Sequence, residues 1–172
     1  MKIECLVRGE IEFNVHAATL LAAMADVQKF IGRMKGVRSV LHVGTQLFHL
    51  DFAPREVLGI DYQPECILRF DLSRPGHVAW TTIDGNLRFD GDVRVRPTAS
   101  GCAVGFLARE ITDLPLVPVL VTGAEAIGRV DLNQRMRELI ATLDLRDRPP
   151  VAMPQARPAR RGMLGFLRAG HA

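Results

Sequence analysis

The sequence predicts an α+β domain in which a curved antiparallel sheet wraps around one long helix late in the chain. Between Pro115 and Leu145, apolar residues fall at the four-then-three spacing of an amphipathic helix: Leu132, Met136, Leu139, Ile140 and Leu143. Almost everything before this segment has the alternating or short apolar patterns of strands. The apolar face of the helix needs a partner, and one sheet of about six or seven strands supplies it.

The first thirty residues predict a long strand followed by one helix or a broken pair of short helices. Apolar and polar residues alternate from Ile3 to Val15, except at Leu6, which indicates a strand with one solvated face. The spacing then becomes helical from Ala17 to Phe30. Gly32 and Gly36 mark the end of this helical segment.

The middle of the chain predicts the remaining strands, separated by turn residues. Gly44-Thr45 is expected to be a hairpin turn. Residues 55–62 and 65–72 each follow a proline and are expected to form one bent strand or two, because proline cannot donate to a central ladder. The predicted strands are 37–43, 46–53, 55–62, 65–72, 78–83, 87–95 and 102–111.

Length and composition indicate one ordinary domain. The 172 residues, 48% of them hydrophobic, are enough to bury a core. Lys2 and Glu4 place charges where a secretory signal would be apolar, so no signal is expected. The longest uncharged apolar stretch, 114–124, contains two prolines and is too short to span a bilayer. We therefore expect a cytoplasmic protein, with peripheral association with a membrane left open.

No metal or cofactor is expected. Cys5, Cys66 and Cys102 are scattered, with no Cys-x-x-Cys and no histidine at zinc-ligand spacing, which indicates small apolar core residues. His42 and His49 are expected on an outer polar face. The sequence contains no His-Glu-x-x-His, no Gly-x-Ser-x-Gly, no phosphate-binding glycine loop and no dinucleotide fingerprint.

The charge separates a body, residues 1–145, from a tail, residues 146–172. The tail holds six Arg and one Asp, which gives it a formal charge of +5 and leaves the body at −2. The sequence pI of about 9.1 therefore reflects the tail and does not predict nucleic-acid binding.

The Pro- and Arg-rich tail is expected to be flexible up to a short apolar segment at 163–167. The apolar residues of this segment, between Arg160-Arg161 and Arg168, are Met163, Leu164, Phe166 and Leu167. They could form a short basic amphipathic turn that docks on an anionic membrane or a protein partner. The alternative is a tail that is merely solubilising.

The layout resembles the START-like helix-grip superfamily, which includes polyketide cyclase-like proteins, lipid-transfer domains and carbon monoxide dehydrogenase accessory G proteins. The resemblance covers about residues 2–145. It rests on the opening strand, the helix at 17–30, Gly-Val-Arg-Ser-Val at 36–40, the strands containing Trp80 and Gly91, and the glycine-bearing final helix. It implies a cavity between sheet and final helix for an apolar or amphipathic molecule. Accessory G proteins have a similar tail that tethers a lipid-carrying domain.

The positions that strand alternation sends inward are nearly all apolar, so the sequence supplies little acid–base chemistry. Tyr62 and Glu110 are the weak catalytic candidates. Glycines in the first half of the final helix suggest either space above the sheet or close helix–sheet packing. The candidate ligand contacts are Phe52, Tyr62, Phe70, Trp80, Thr82, Phe89, Phe106, Gly123 and Ile127.

Three functions are left open. The favoured hypothesis is binding or transport of a small hydrophobic ligand, such as a lipid, an isoprenoid or a polyketide-like compound. The second is an enzyme of the aromatase/cyclase kind, in which Tyr62 and Glu110 would move protons. The third is an adaptor domain whose core is filled by its own phenylalanines.

Overall fold

The computed structural model describes residues 1–143. The predicted tail at 146–172, with its apolar segment at 163–167, lies outside the described residues. The elements are β1 (Lys2–Phe13), α1 (Ala17–Ala25), α2 (Val27–Ile31), β2 (Val37–Gly44), β3 (Leu47–Phe52), β4 (Arg55–Val57), β5 (Ile60–Tyr62), β6 (Glu65–Asp71), β7 (His77–Gly85), β8 (Leu87–Thr98), β9 (Gly101–Asp113) and α3 (Pro118–Ala141).

Seven of the strands form one antiparallel sheet in the order β1-β9-β8-β7-β6-β3-β2. β4 and β5 form a separate two-stranded sheet. With α3 packed against β1 and β9, this arrangement confirms the predicted α+β class and the helix-grip layout.

The two halves of α3 differ in burial. The second half buries the predicted apolar face, with Leu132, Met136 and Leu139 fully shielded from solvent. The first half buries only Ala124 and leaves several large apolar side chains exposed. The second half therefore anchors the helix in the core, and the first half is available to form a cavity wall.

Aromatic rings fill the interior over the opposite part of the sheet. Phe48, Phe70, Trp80 and Phe89 form a continuous column with successive ring centroids 5.5, 6.0 and 5.4 Å apart. Gly91 permits this packing, because a Cβ there would lie 2.6 Å from the Trp80 ring. Phe70, Trp80 and Phe89 are each 1% exposed, so their rings pack against one another in this half of the core.

Several predicted boundaries need correction. The helical segment after β1 is the second of the two alternatives, a broken pair, α1 and α2, that divides at Asp26. The first β-hairpin turns at Thr45-Gln46, one residue later than predicted, because Gln46 takes the positive φ of +57° that the turn requires. The long helix begins at Pro118, where the missing N–H of proline does no harm, and ends at Ala141.

The largest correction concerns residues 55–62, which form a tight hairpin of their own. Leu58 and Gly59 make the turn between β4 and β5, with φ of +51° and +80°. Leucine rarely adopts a positive φ, so Leu58 is strained, and it remains 43% exposed. The prediction of one continuous strand over residues 55–62 is therefore wrong, and the β4–β5 hairpin covers one end of the cavity instead.

Among residues 1–143, no helix combines the length and the apolar character that crossing a membrane requires.

Candidate functional site

A cavity of about 420 Å³ lies between the first half of α3, the inner face of β1 and β9, and the β4–β5 hairpin. Its apolar lining contains Ile3, Val57, Leu58, Leu114, Ala124, Ile127 and Gly128, and its other lining residues are Cys5, Arg55, Glu56, Tyr62, Glu110, Thr112 and Asp131. The space is thus mainly apolar, with polar side chains gathered on one side.

The register of β1 and β9 places two of the polar groups. Cys5 pairs with Glu110, and Ile3 pairs with Thr112, so all four side chains point to the inner face. At the edge of the cavity α3 lies very close to β1. A Cβ at residue 128 would lie only 2.5 Å from the Cys5 Sγ atom. Close packing therefore explains the glycine at 128.

Glu110 is held between two arginines. Arg55 donates from Nη1 to Glu110 Oε1 at 3.1 Å, and Arg135 donates from Nη2 to Oε2 at 2.7 Å. Arg135 also donates from Nε to Asp131 Oδ2 at 2.8 Å. The side chain of Glu110 is only 12% exposed and that of Arg135 only 4%, so this is a nearly buried ion-pair network. We name Arg55, Glu110, Asp131 and Arg135 the charge cluster.

The two positive charges of the charge cluster are matched by its two carboxylates. Burial disfavours the charged form of Arg135, but the charges of Glu110 and Asp131 and the hydrogen bonds to them outweigh this effect, so the pKa of Arg135 is raised. The guanidinium of Arg55 also lies 5.3 Å from the centre of the Phe52 ring, a cation–π contact that fixes its position. Each arginine keeps one buried nitrogen without a hydrogen-bond partner among the described residues, Arg55 Nη2 and Arg135 Nη1.

Tyr62 fixes the hairpin to the rest of the sheet. Its hydroxyl donates to the Asn86 carbonyl oxygen at 3.2 Å or to the Asn86 side-chain oxygen at 3.3 Å. Asn86 in turn accepts from the Glu65 backbone N–H and donates to the Gln63 carbonyl. Burial raises the pKa of the Tyr62 phenol to about 12, so near neutral pH it is protonated and acts as a donor.

The titration of Tyr62 is a direct test of this environment, since the chain has one tyrosine. We expect the phenolate absorbance of the folded protein to rise with a midpoint near pH 12, against an ordinary value of 10.0 in urea. The unfolded chain loses this proton first, so the free energy of unfolding should fall as the pH rises from 10 to 12. A midpoint near 10 in the folded protein would show that Tyr62 is solvated.

Cys5 is the remaining polar group in the cavity wall. Its thiol donates to the Glu125 carbonyl at 3.7 Å, and burial raises its pKa to about 11. A neutral thiol is a weak nucleophile, so the role of Cys5 is to form part of the cavity lining. Cys66 and Cys102 are also buried and free, as expected of core residues.

Comparisons with known proteins identify the architecture. No family model matches the sequence, and no curated protein matches it. Among solved structures, a START superfamily protein from Mycobacterium smegmatis superposes with a TM-score of 0.57 at 12% identity, covering 80% of this chain and 98% of its own. The Zhui aromatase/cyclase from Streptomyces sp. R1128 does so with a TM-score of 0.57 at 12% identity, covering 84% and 96%. The chain has the START-like helix-grip fold.

Norcoclaurine synthase from Thalictrum flavum, solved in complex with dopamine and hydroxybenzaldehyde, shares this helix-grip fold. Its TM-score is 0.57 at 14% identity, and the match covers 86% of this chain and 90% of that one. At such identities the likeness concerns the fold alone.

The helix-grip structure brings together three of the residues singled out from the sequence. Tyr62, Glu110 and Ile127 all line the cavity. The other candidates lie elsewhere: Phe52, Phe70, Trp80 and Phe89 are buried in the core, and Phe106 packs over Gly9. Thr82 donates to and accepts from the Phe89 backbone, and Gly123 lies on the outer side of α3.

Sequence reasoning missed five polar groups of the site: Arg55, Glu56, Thr112, Asp131 and Arg135. A signal existed for Arg135, because it lies three residues after Leu132 and four before Leu139, on the apolar face of α3. A charge on such a face needs a buried partner. No comparable local signal marks Arg55, since its partner is 55 residues away in sequence.

Proposed function

We propose that this protein binds a small amphipathic molecule in the cavity between α3, the sheet and the β4–β5 hairpin. The observation that carries the proposal is a cavity of about 420 Å³ with an apolar lining and the charge cluster on one side. Its volume falls in the range of small-molecule sites, roughly 300–1,000 Å³. Burial of the ligand's apolar part would supply most of the binding energy.

The charge cluster indicates which polar group the ligand carries. Two arginines and two carboxylates are already matched in ion pairs, so the cluster has no net charge to hold an ion. Burying an additional charge beside it would cost several kcal/mol. Arg55, which lines the cavity, is a hydrogen-bond donor, and Glu110 has acceptor capacity left. These groups suit a neutral hydroxyl or carbonyl oxygen.

The strained turn of the β4–β5 hairpin supports binding at this end. The side chain of Leu58 lines the cavity. Its backbone has a positive φ, which asparagine or glycine would adopt more easily. A local strain of this kind is commonly retained where a side chain has a role. That norcoclaurine synthase holds dopamine and hydroxybenzaldehyde supports a ligand of small size.

A matched panel of ligands tests the proposal. The panel pairs apolar molecules of equal size that end in a neutral hydroxyl, a carboxylate or an amine, and the readout is the melting temperature of the protein. At about 100 times its Kd, a binder should raise the melting temperature by about 5–10 °C. We expect shifts with the neutral members only. Equal shifts with charged members would contradict the neutral polar end, and no shift with any member would contradict binding.

A second candidate function is an enzyme of the aromatase/cyclase kind, favoured by the presence of Tyr62 and Glu110 in one cavity wall. Tyr62 is protonated near neutral pH, and its hydroxyl would act as an acid on a bound carbonyl by exchanging its hydrogen bond to Asn86 for one to the ligand. If so, Tyr62→Phe should abolish turnover of a poly-carbonyl substrate and leave its binding intact. Unchanged turnover would remove this candidate. The filled-core adaptor accounts for the aromatic column and leaves the cavity unexplained.

A further inference from the structure

One side of the first half of α3 is apolar and open to solvent. Five residues within about 100° of arc on the helix surface make up this side, which we name the α3 stripe: Val119, Gly123, Ala126, Ile127 and Val130. Val119 is 83% exposed, Val130 70% and Ile127 64%. Within residues 1–143 nothing covers them. Contiguous exposed apolar surface of this kind marks a binding surface.

The α3 stripe has a notch at its centre. A Cβ built on Gly123 would meet no atom within 4 Å. Gly123 lies one turn from Val119 and one turn from Ile127, so the missing side chain leaves a gap between two exposed apolar ones. A single large side chain from a partner could enter this gap.

We propose that the α3 stripe is the docking site for residues 163–167 of the same chain. This segment carries four apolar residues within five positions, including the aromatic Phe166. Phe166 would enter the notch at Gly123, and its apolar neighbours would cover Val119 and Val130. The proposal does not depend on which ligand the cavity binds.

The connecting chain is long enough for this contact. From Leu143 back to Val119, α3 and its end extend over about 36 Å. Residues 144–162 can span up to about 65 Å when extended. Because the segment and the stripe belong to one chain, their effective concentration is on the order of millimolar, so weak contacts suffice.

Charge favours the tail over an anionic membrane. Arg160, Arg161 and Arg168 flank the segment, and the tail carries +5 against −2 for the body. Next to the stripe, Glu125 pairs with Arg129 and Asp131 pairs with Arg135, so the negative charge that the tail meets is the formal charge of the whole body. An anionic lipid surface would meet the same negative body, whereas the basic tail is complementary to it.

A photo-crosslinker placed at Val119 of the full chain tests the proposal, with the same crosslinker at Thr81, an exposed position on β7, as the control. We expect Val119 to crosslink to the peptide containing Phe166 within one molecule, about tenfold more than Thr81 does. The yield should not depend on protein concentration. Phe166→Glu should lower it about tenfold, and Phe166→Leu should largely retain it.

Gly123→Leu separates docking from mere exposure. Leucine favours the helix, so the folded chain remains available for the measurement, but it fills the notch and should reduce crosslinking as strongly as Phe166→Glu. Three results would overturn the proposal. They are crosslinked dimers that increase with concentration, crosslinking that needs phosphatidylglycerol vesicles, and equal yields from Val119 and Thr81.

Discussion

Replacing Glu110 with alanine is expected to lower the free energy of unfolding by about 3–5 kcal/mol. The change leaves Arg135, whose side chain is 4% exposed, and Arg55, at 21%, without the carboxylate that both contact. An uncompensated buried charge is far more costly than the loss of a surface ion pair. Urea unfolding measures the effect, and the melting temperature should fall by roughly 10 °C.

Two further variants make this result specific to burial. Asp131→Asn removes the other partner of Arg135, but Asp131 is 52% exposed, so the expected loss is below about 1 kcal/mol. Adding Arg135→Met to Glu110→Leu should recover part of the stability, because that double variant removes both a buried cation and its partner. Equal losses from Glu110→Ala and Asp131→Asn would contradict a buried network.

Replacing Ala124 with phenylalanine is expected to weaken ligand binding by about 100-fold or more. Ala124 is 4% exposed and forms part of the apolar wall, so the added ring would occupy the space that the ligand needs. The loss of affinity comes from exclusion and should not depend on the ligand's polar group. The shift in melting temperature with the best member of the neutral panel measures it.

Ala141→Phe is the matched control, since it adds the same ring to an exposed position on the same helix. It should bind as the wild type does. Thermal unfolding without ligand shows whether Ala124→Phe still folds cooperatively. If a folded Ala124→Phe protein retains wild-type affinity, the ligand does not occupy this cavity.

Much of the fold could be predicted because its signals are local. The alternation along β1 and the helical spacing at Leu132, Met136 and Leu139 each report the burial of one face. The hairpin at 55–62 escaped prediction because Leu58 adopts a positive φ in its turn, which apolar residues seldom do. On sequence alone, the segment has the pattern of one strand.

The site was less predictable because it is formed by ion pairs between residues that are far apart in the sequence. Alternation on β9 correctly sent Glu110 inward, yet nothing near residue 110 indicates two arginines. The aromatic residues were placed inside correctly, but alternation cannot tell a packed interior from a cavity. The size of the cavity depends on where α3 moves away from the sheet and on how the β4–β5 hairpin covers the end of the cavity.

The most direct test of ligand binding is native mass spectrometry of the full chain purified from its source, beside Ala124→Phe prepared in the same way. Organic extraction then identifies whatever is bound. We predict that the wild type carries a stoichiometric, neutral, oxygen-containing apolar compound, which leaves only on denaturation, and that Ala124→Phe carries none. A wild-type protein that is consistently free of ligand, and that no member of the panel stabilises, would contradict the proposed function.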